Sequence, residues 1–269
     1  MIRLAVFGAA GRMGQRILSL SQKNPDVFNV VGAIEFPGHP LMNKNISEFT
    51  EIKNSDVILR SSSAGFIDNC DVFIDFTSPE STILNADSCG HAGKALVVGT
   101  TGLNDEQMNI LKTISRDIPM VVAPNMSVGV NLLFALVKKV ASILDDDYDI
   151  EITESHHRFK KDAPSGTAKR LAEMAAMGRD VNLAEKAVHG RVGITGERKK
   201  GDIGIHALRM GNVVGDHTVC FANLAERVEF THKAESRDVF ALGALKAAVF
   251  VASAKPGLYD MQDVLGLKF

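Results

Sequence analysis

Ile2-Arg-Leu-Ala-Val-Phe7-Gly8-Ala9-Ala10-Gly11-Arg12-Met13-Gly14 joins a short apolar run to three glycines spaced three apart. Ile2–Phe7 is brief and apolar, as a strand buried on both faces is. Arg12–Gln22 has helical length and spacing. The glycines between them permit a tight turn and let backbone N–H groups approach a pyrophosphate. The helix N-terminus then adds unpaired donors and about half a positive charge. The spacing is GxxGxxG, a variant of the dinucleotide fingerprint with Ala10 where a glycine often sits. A bare glycine turn is the plain alternative, but the placement between strand and helix favours a nucleotide.

Further apolar runs repeat this theme. Phe28–Glu35, Asp71–Phe76, Ala95–Gly99 and Pro119–Ala123 are rich in Val and Ile, with a weaker run at Val57–Leu59 and a helical stretch at Asp105–Arg116. Such alternation predicts βαβ units in a Rossmann-like, doubly wound parallel sheet of an α/β protein. Glu35 stands near the ~20-residue offset at which an acid meets the adenosine ribose; a solvated strand-end acid is the alternative. Phe36 follows where an Arg or Lys would pair with a 2′-phosphate. NADH is therefore expected ahead of NADPH, although Arg12 leaves NADPH possible. Gly99-Thr100-Thr101 and Ala123-Pro124-Asn125-Met126 each follow a strand, at the sheet edge where open α/β folds bind ligands.

The pattern changes after Asn125. Ser127 is placed to cap a helix from about Val130 to Leu144, and Asp149–Glu154 alternates as a half-solvated strand does. His189–Gly204 reads as a long glycine-rich loop. Ile203–Met210, Asp216–Asn223 and Arg227–Lys233 then alternate again, which predicts a smaller α+β domain with a mixed or antiparallel sheet. Val239–Ala254 is apolar nearly all round and stopped by Pro256-Gly257, and is expected to return to the first domain. The division predicted is 1–126 with 237–269 for dinucleotide binding, and 127–236 for substrate binding and oligomerisation.

The most informative stretch runs Glu154-Ser-His156-His157-Arg158-Phe159-Lys160-Lys161-Asp162-Ala163-Pro164-Ser165-Gly166-Thr167. It follows a strand, supplies two imidazoles and three cations, and leads into a helix, Ala168–Met177, with Ser165 or Thr167 near its cap. Free N–H groups there attract a carboxylate and the cations reinforce it, so the arrangement suits a small dianion. A histidine exchanges protons near neutral pH, and a lysine serves as clamp or acid. A solvated basic loop before an ordinary cap is the bland alternative for any one of these residues.

Composition narrows the classes. Of 269 residues 45% are hydrophobic and 23% charged, so the chain supports a packed core. Lys and Arg total 30 against 32 Asp and Glu, which argues against nucleic acid or an acidic membrane surface as the main partner. No apolar run approaches the ~20 residues of a membrane helix, and the N-terminus lacks the pattern of a signal peptide. Cys70, Cys89 and Cys220 are widely spaced and read as reduced core thiols of a cytoplasmic protein; no metal site is expected.

Several motifs together resemble the 4-hydroxy-tetrahydrodipicolinate reductase (dihydrodipicolinate reductase) family: GxxGRMG at 8–14, VVGTTG at 97–102, APNMSVGVN at 123–131, ESHHRFKKDAPSGTA at 154–168, VGDHTVCFA at 214–222, ERVEFTHKAESRDVFALGALKAA at 226–248 and GLYDMQDVLG at 257–266. The resemblance runs through essentially the whole chain. It implies reduction of a cyclic dicarboxylate by NADH or NADPH in the diaminopimelate–lysine pathway, by a cytoplasmic homotetramer. Gly8, Ala9, Ala10, Gly11, Arg12 and Met13 would cradle the pyrophosphate and Glu35 the adenosine ribose. Gly99, Thr100, Thr101, Ala123, Pro124, Asn125 and Met126 would line the nicotinamide end. His156 would be the proton donor/acceptor and Lys160 the proton donor, with His157, Gly166 and Thr167 gripping carboxylates. Hydride would reach C4 of the ring and a proton the adjacent carbon, from Lys160 or His156. Phe36 and Ser78 stand where basic residues are common, which weakens phosphate options, and Met126 stands where an aromatic is frequent. The rivals are another Rossmann oxidoreductase, such as an aldose or homoserine dehydrogenase, and a non-catalytic nucleotide sensor. Sugar-type families carry Glu-Lys-Pro where this chain reads GTTG or FTSPE.

Overall fold

The computed structural model describes residues 1–267; Lys268 and Phe269, the end of the expected 237–269 segment, lie outside the described residues. The chain forms two compact units, one of Met1–Ser127 with Asp238–Gly266, the other of Val128–Arg237. In chain order the first half holds β1 (Ile2–Phe7), α1 (Arg12–Ser21), β2 (Phe28–Ile34), β3 (Leu59–Arg60), β4 (Val72–Asp75), α2 (Pro79–His91), β5 (Ala95–Val98), α3 (Asp105–Ile114) and β6 (Pro119–Val122). There follow α4 (Val128–Ile143), β7 (Asp149–His156), α5 (Gly166–Arg179), α6 (Leu183–Lys186), β8 (Ala187–His189), β9 (Ile203–Arg209), β10 (Asp216–Ala222) and β11 (Arg227–Lys233). The chain closes with α7 (Asp238–Val251), β12 (Gly257–Tyr259) and α8 (Met261–Leu265).

In the first unit, strand alternation sorts side chains onto two cores. Leu4 and Val6 of β1, with Val72, Ile74, Val97 and Val121, pack against Ile17 and Leu18 of α1 and Ala244, Leu245 and Ala248 of α7. Ala5 and Phe7, with Phe73, Leu96, Val98 and Met120, pack on the other face with Ala86 and Cys89 of α2 and Leu111 of α3. A seven-stranded sheet, in order β12-β6-β5-β4-β1-β2-β3, is thus buried on both sides. Every pairing in it is parallel, as strands without a polar face require.

Three expectations in this unit change. The weak strand at Val57–Leu59 lies instead at Leu59–Arg60, where it pairs with Ala33 and Ile34. α2 was not expected; Ser78 caps it by accepting from the Ser81 N–H, with Pro79 in its first turn. Gly257, read as a helix stop, also begins β12, which pairs with Pro119–Val121 of β6.

The second unit carries a five-stranded sheet in order β11-β10-β7-β9-β8. It is mixed: β9 runs parallel to β7 and β8, and β10 antiparallel to β7 and β11. Ile150, Ile152, Ile203, Ile205, Val219 and Phe221 point to one face, covered by α4 and α5. The intervening positions, among them Glu151, Thr153, His206 and Thr218, share the other. The expected loop His189–Gly204 is shorter than its stated span, because β8 reaches His189 and β9 begins at Ile203.

Candidate active site

In the first unit, the strand ends and the α1 N-terminus meet at one edge. Gly8 adopts φ +71°, and a Cβ there would lie 2.8 Å from the Phe76 carbonyl oxygen. A Cβ on Gly14 would stand 2.1 Å from the Gly8 oxygen, so glycine is what lets α1 start against the turn. The Ala9 and Gly11 N–H groups donate to Ile34 and Gly8 oxygens, and the Ala10 N–H donates to Glu35 Oε2. The amides aimed outward are therefore those of the first helical turn, from Arg12 onward. Gly11 caps α1 without a side-chain acceptor, and that turn holds no acid. This cradle fits an anionic pyrophosphate.

Two cavities flank it. One, of about 490 Å³, is lined by Gly11, Arg12, Met13, Gly99, Thr100, Thr101, Pro124, Asn125 and Met126. Phe76, Thr77 and Phe240, which sequence reading passed over, complete its wall. The Phe76 ring lies where a Cβ on Gly99 would be, at 2.2 Å, so that glycine admits it. A Cβ on Gly243 would stand 1.7 Å from the Met126 oxygen; the gap in α7 seats Met126. Ala123, 4% exposed, stays in the core behind the cavity. Thr100 is fixed through buried Asp75, which accepts from Thr100 Oγ1 at 3.2 Å, Thr77 Oγ1 at 2.6 Å and Asn85 Nδ2 at 2.8 Å.

The other cavity, of about 470 Å³, contains Gly8, Glu35, Phe36, Ser61, Ser78 and Leu84, with no Lys or Arg among its described wall residues. Glu35 accepts from the Ala10 and Phe36 N–H groups, so it braces the glycine turn as well as facing this space. A third, larger cleft of about 1020 Å³ lies beside the N-terminal part of β2, lined by Phe28, Asn29 and Val30, and includes none of the expected site residues.

In the second unit the histidine stretch is organised by residues the sequence reading did not assign roles. His156 ends β7, and its oxygen accepts from the Met210 N–H; the Arg158 N–H donates to Gly211 and the Lys160 N–H to His157. This staples the turn to the end of β9. Lys160 Nζ donates to Asp162 Oδ1 at 2.9 Å. Glu154, fully buried, takes His156 Nδ1 at 2.5 Å on Oε2. It also takes both Arg209 Nη atoms at 2.9 Å and the Ser165 N–H at 3.1 Å. Burial pushes the Glu154 carboxyl up, but Arg209, His156 and the Ser165 amide outweigh that and hold it below the usual range.

Ser165 caps α5 by accepting from the Ala168 N–H, and its Oγ lies 3.2 Å from His217 Nε2. His217 packs edge-on to His156 with ring centroids 5.2 Å apart. Burial, then the neighbouring His156, lowers its pKa to about 3, so it is neutral. Gly166 opens the helix into free space, and no acid occupies the first turn where Gly166 and Thr167 stand. Glu154, Arg209 and His217 lie on alternating strands, where a charged or imidazole side chain among apolar neighbours was the available signal. Among the described residues no cluster suits a metal ion.

The comparisons with known proteins agree from end to end. The family model for the dihydrodipicolinate reductase N-terminus matches residues 2–126, and that for its C-terminus residues 129–265. A 4-hydroxy-tetrahydrodipicolinate reductase of Hahella chejuensis is 50% identical over 268 residues, covering 100% of both chains. One from Citrifermentans bemidjiense is 45% identical over 270 residues, again with full coverage. The solved structure of a dipicolinate-bound dihydrodipicolinate reductase from Paenisporosarcina sp. superposes with a TM-score of 0.76 at 27% identity, covering 98% of each chain.

Proposed function

The chain belongs to the dihydrodipicolinate reductase family, and from that premise we propose how its own residues serve the reaction. The protein is an oxidoreductase that reduces 4-hydroxy-tetrahydrodipicolinate with a pyridine nucleotide, in diaminopimelate and lysine biosynthesis. The bound reduced nucleotide supplies the hydride.

Arg12 and Met13 amides, behind the turn Gly8-Ala9-Ala10-Gly11, hold the pyrophosphate. Glu35 accepts from the adenosine ribose. Gly99, Thr100, Thr101, Pro124, Asn125 and Met126 border the nicotinamide end, with Ala123 as backbone support. NADH is the preferred donor: Phe36, 58% exposed, stands next to Glu35, and the adjoining cavity wall has no described cation for a 2′-phosphate. The α5 N-terminus at Gly166 and Thr167, with His157, holds the substrate carboxylates, and carboxylate binding orients the ring. Lys160 and His156 are the proton-transfer groups for the carbon adjacent to the one that is reduced. We further place the enzyme in the cytoplasm as a homotetramer joined through the second unit. The polar face of its five-stranded sheet and the exposed Val192 and Ile194 support that reading.

The observation that carries the site assignment is the convergence at one helix start. His156 and the Ser165 N–H both meet buried Glu154, Ser165 caps the first turn of α5, and Lys160, paired with Asp162, acts electrostatically on His217 beside them. Lys160→Ala is expected to cost at least about 10²-fold in kcat, within the general-acid range, while calorimetric NADH affinity stays unchanged. Near-normal turnover would remove Lys160 from the mechanism.

A further inference from the structure

The carboxylate of Glu154 is saturated. Four donors reach it, and an ionised carboxylate has about four lone-pair positions and no proton to give. The hydrogen in the contact with His156 therefore sits on Nδ1 of the ring. We infer that Glu154 and Arg209 are positioning residues for the reduction: Glu154 fixes the His156 proton on Nδ1, so that Nε2 is the atom that gives and takes the catalytic proton, and Arg209 limits how strongly that carboxylate holds the imidazolium.

The inference rests on the reading of His156 as a proton-transfer group and says how it is made so. A neutral imidazole protonated at Nδ1 carries its lone pair on Nε2. Among the described residues Nε2 has no hydrogen-bond partner, and a Cβ on Gly215 would stand 3.1 Å from it. Glycine at 215 keeps that approach open. When Nε2–H passes its proton to the ring carbon, the imidazolium becomes the neutral Nδ1–H form and Glu154 keeps its charge. Proton uptake from water at Nε2 restores the starting state.

Arg209 counterbalances the pair. Its two Nη atoms grip both Glu154 oxygens, and Nη2 also donates to the Asp162 oxygen at 2.7 Å. The charged and titratable groups facing His156 are accounted for element by element. β7 supplies Glu154 and β9 supplies Arg209. β10 supplies neutral His217, beside Asp216 at its start, and the turn after β7 supplies Lys160, paired with Asp162. The first turn of α5 adds no acid. Removing Glu154's charge should thus destabilise the imidazolium, and removing Arg209's should stabilise it.

The test uses the full chain with ¹⁵N-labelled histidine. His156 is titrated by long-range ¹H–¹⁵N spectra in the parent protein, Glu154→Gln and Arg209→Gln, with kcat/KM measured against pH in parallel. The expected result is an Nδ1–H tautomer in the parent at high pH. The His156 titration should move to lower pH in Glu154→Gln and to higher pH in Arg209→Gln. A merely structural role moves both variants the same way or neither. An Nε2–H tautomer in the parent, or shifts of equal sign, overturns the positioning pair. Should Glu154→Gln fail to fold, the parent tautomer and the Arg209→Gln shift decide alone. A kcat/KM profile that follows the ring titrations supports the catalytic half. One that stays fixed while the ring shifts overturns His156 as the proton-transfer group, and leaves the tautomer result intact.

Discussion

Ser165→Ala removes one oxygen that serves two partners. Ser165 Oγ accepts from the Ala168 N–H at the start of α5 and meets His217 Nε2 at 3.2 Å, and the residue is only 2% exposed. Losing an N-cap costs about 1 kcal/mol. Leaving a buried imidazole nitrogen without a partner costs roughly 1–3 kcal/mol more. Even the lower end, about 2 kcal/mol, corresponds to roughly 30-fold easier opening of the first turn of α5. Hydrogen exchange followed by mass spectrometry should show that acceleration in peptides covering Gly166–Ala172, with α1 unaffected. On the proposal that this turn holds the substrate carboxylates, KM for the dicarboxylate should rise roughly tenfold while NADH affinity holds. Exchange at α5 within about threefold of the parent would refute the claim that Ser165 holds this helix start.

Phe36→Arg places a cation beside Glu35, the proposed ribose ligand, and should raise the NADPH/NADH ratio of kcat/KM; an unchanged ratio would put selectivity elsewhere. His217 has a folded pKa lowered from 6.5 to about 3 by burial and by His156. Unfolded chains take up that proton as pH drops below about 6.5, so its stabilising effect is complete above 6.5 and fades between 6.5 and 3, by at most about 1.4 kcal/mol per pH unit. His217→Gln does not titrate, and its urea midpoint should fall less steeply than the parent's between pH 6.5 and 4.

The parts of the fold that were legible share a cause. Ala95–Gly99 and Pro119–Ala123 are unbroken apolar runs, and Ile2–Phe7 is interrupted only by Arg3, because both their faces are buried, and that pattern needs no tertiary context. Asp149–Glu154 showed itself by alternation because one face of its sheet carries polar residues. α2 escaped because Pro79-Glu-Ser-Thr has no apolar stripe; its cap, Ser78, was read only for phosphate binding. β12 escaped because three residues beside a Pro-Gly pair gain strand character only by pairing with β6.

The site divides the same way. Gly8, Gly11 and the histidine string are contiguous motifs whose chemistry is local, and Glu35 stands at a legible offset from the glycines. Phe76, Phe240, Glu154, Arg209 and His217 act through neighbours remote in sequence, and only the folded chain brings Arg209 onto Glu154. Glu35 shows the limit from the other side. Its offset from the glycines pointed to a ribose, while its hydrogen bond to the Ala10 N–H, which shapes the turn itself, had no sequence signal.

The most direct test of the whole account is steady-state oxidation of NADH with freshly generated 4-hydroxy-tetrahydrodipicolinate, in the parent protein and in His156→Ala/Lys160→Ala. The account predicts one tetrahydrodipicolinate formed per NADH consumed by the parent, and loss of nearly all that turnover in the double variant with nucleotide binding retained. Parental turnover in the double variant would contradict it.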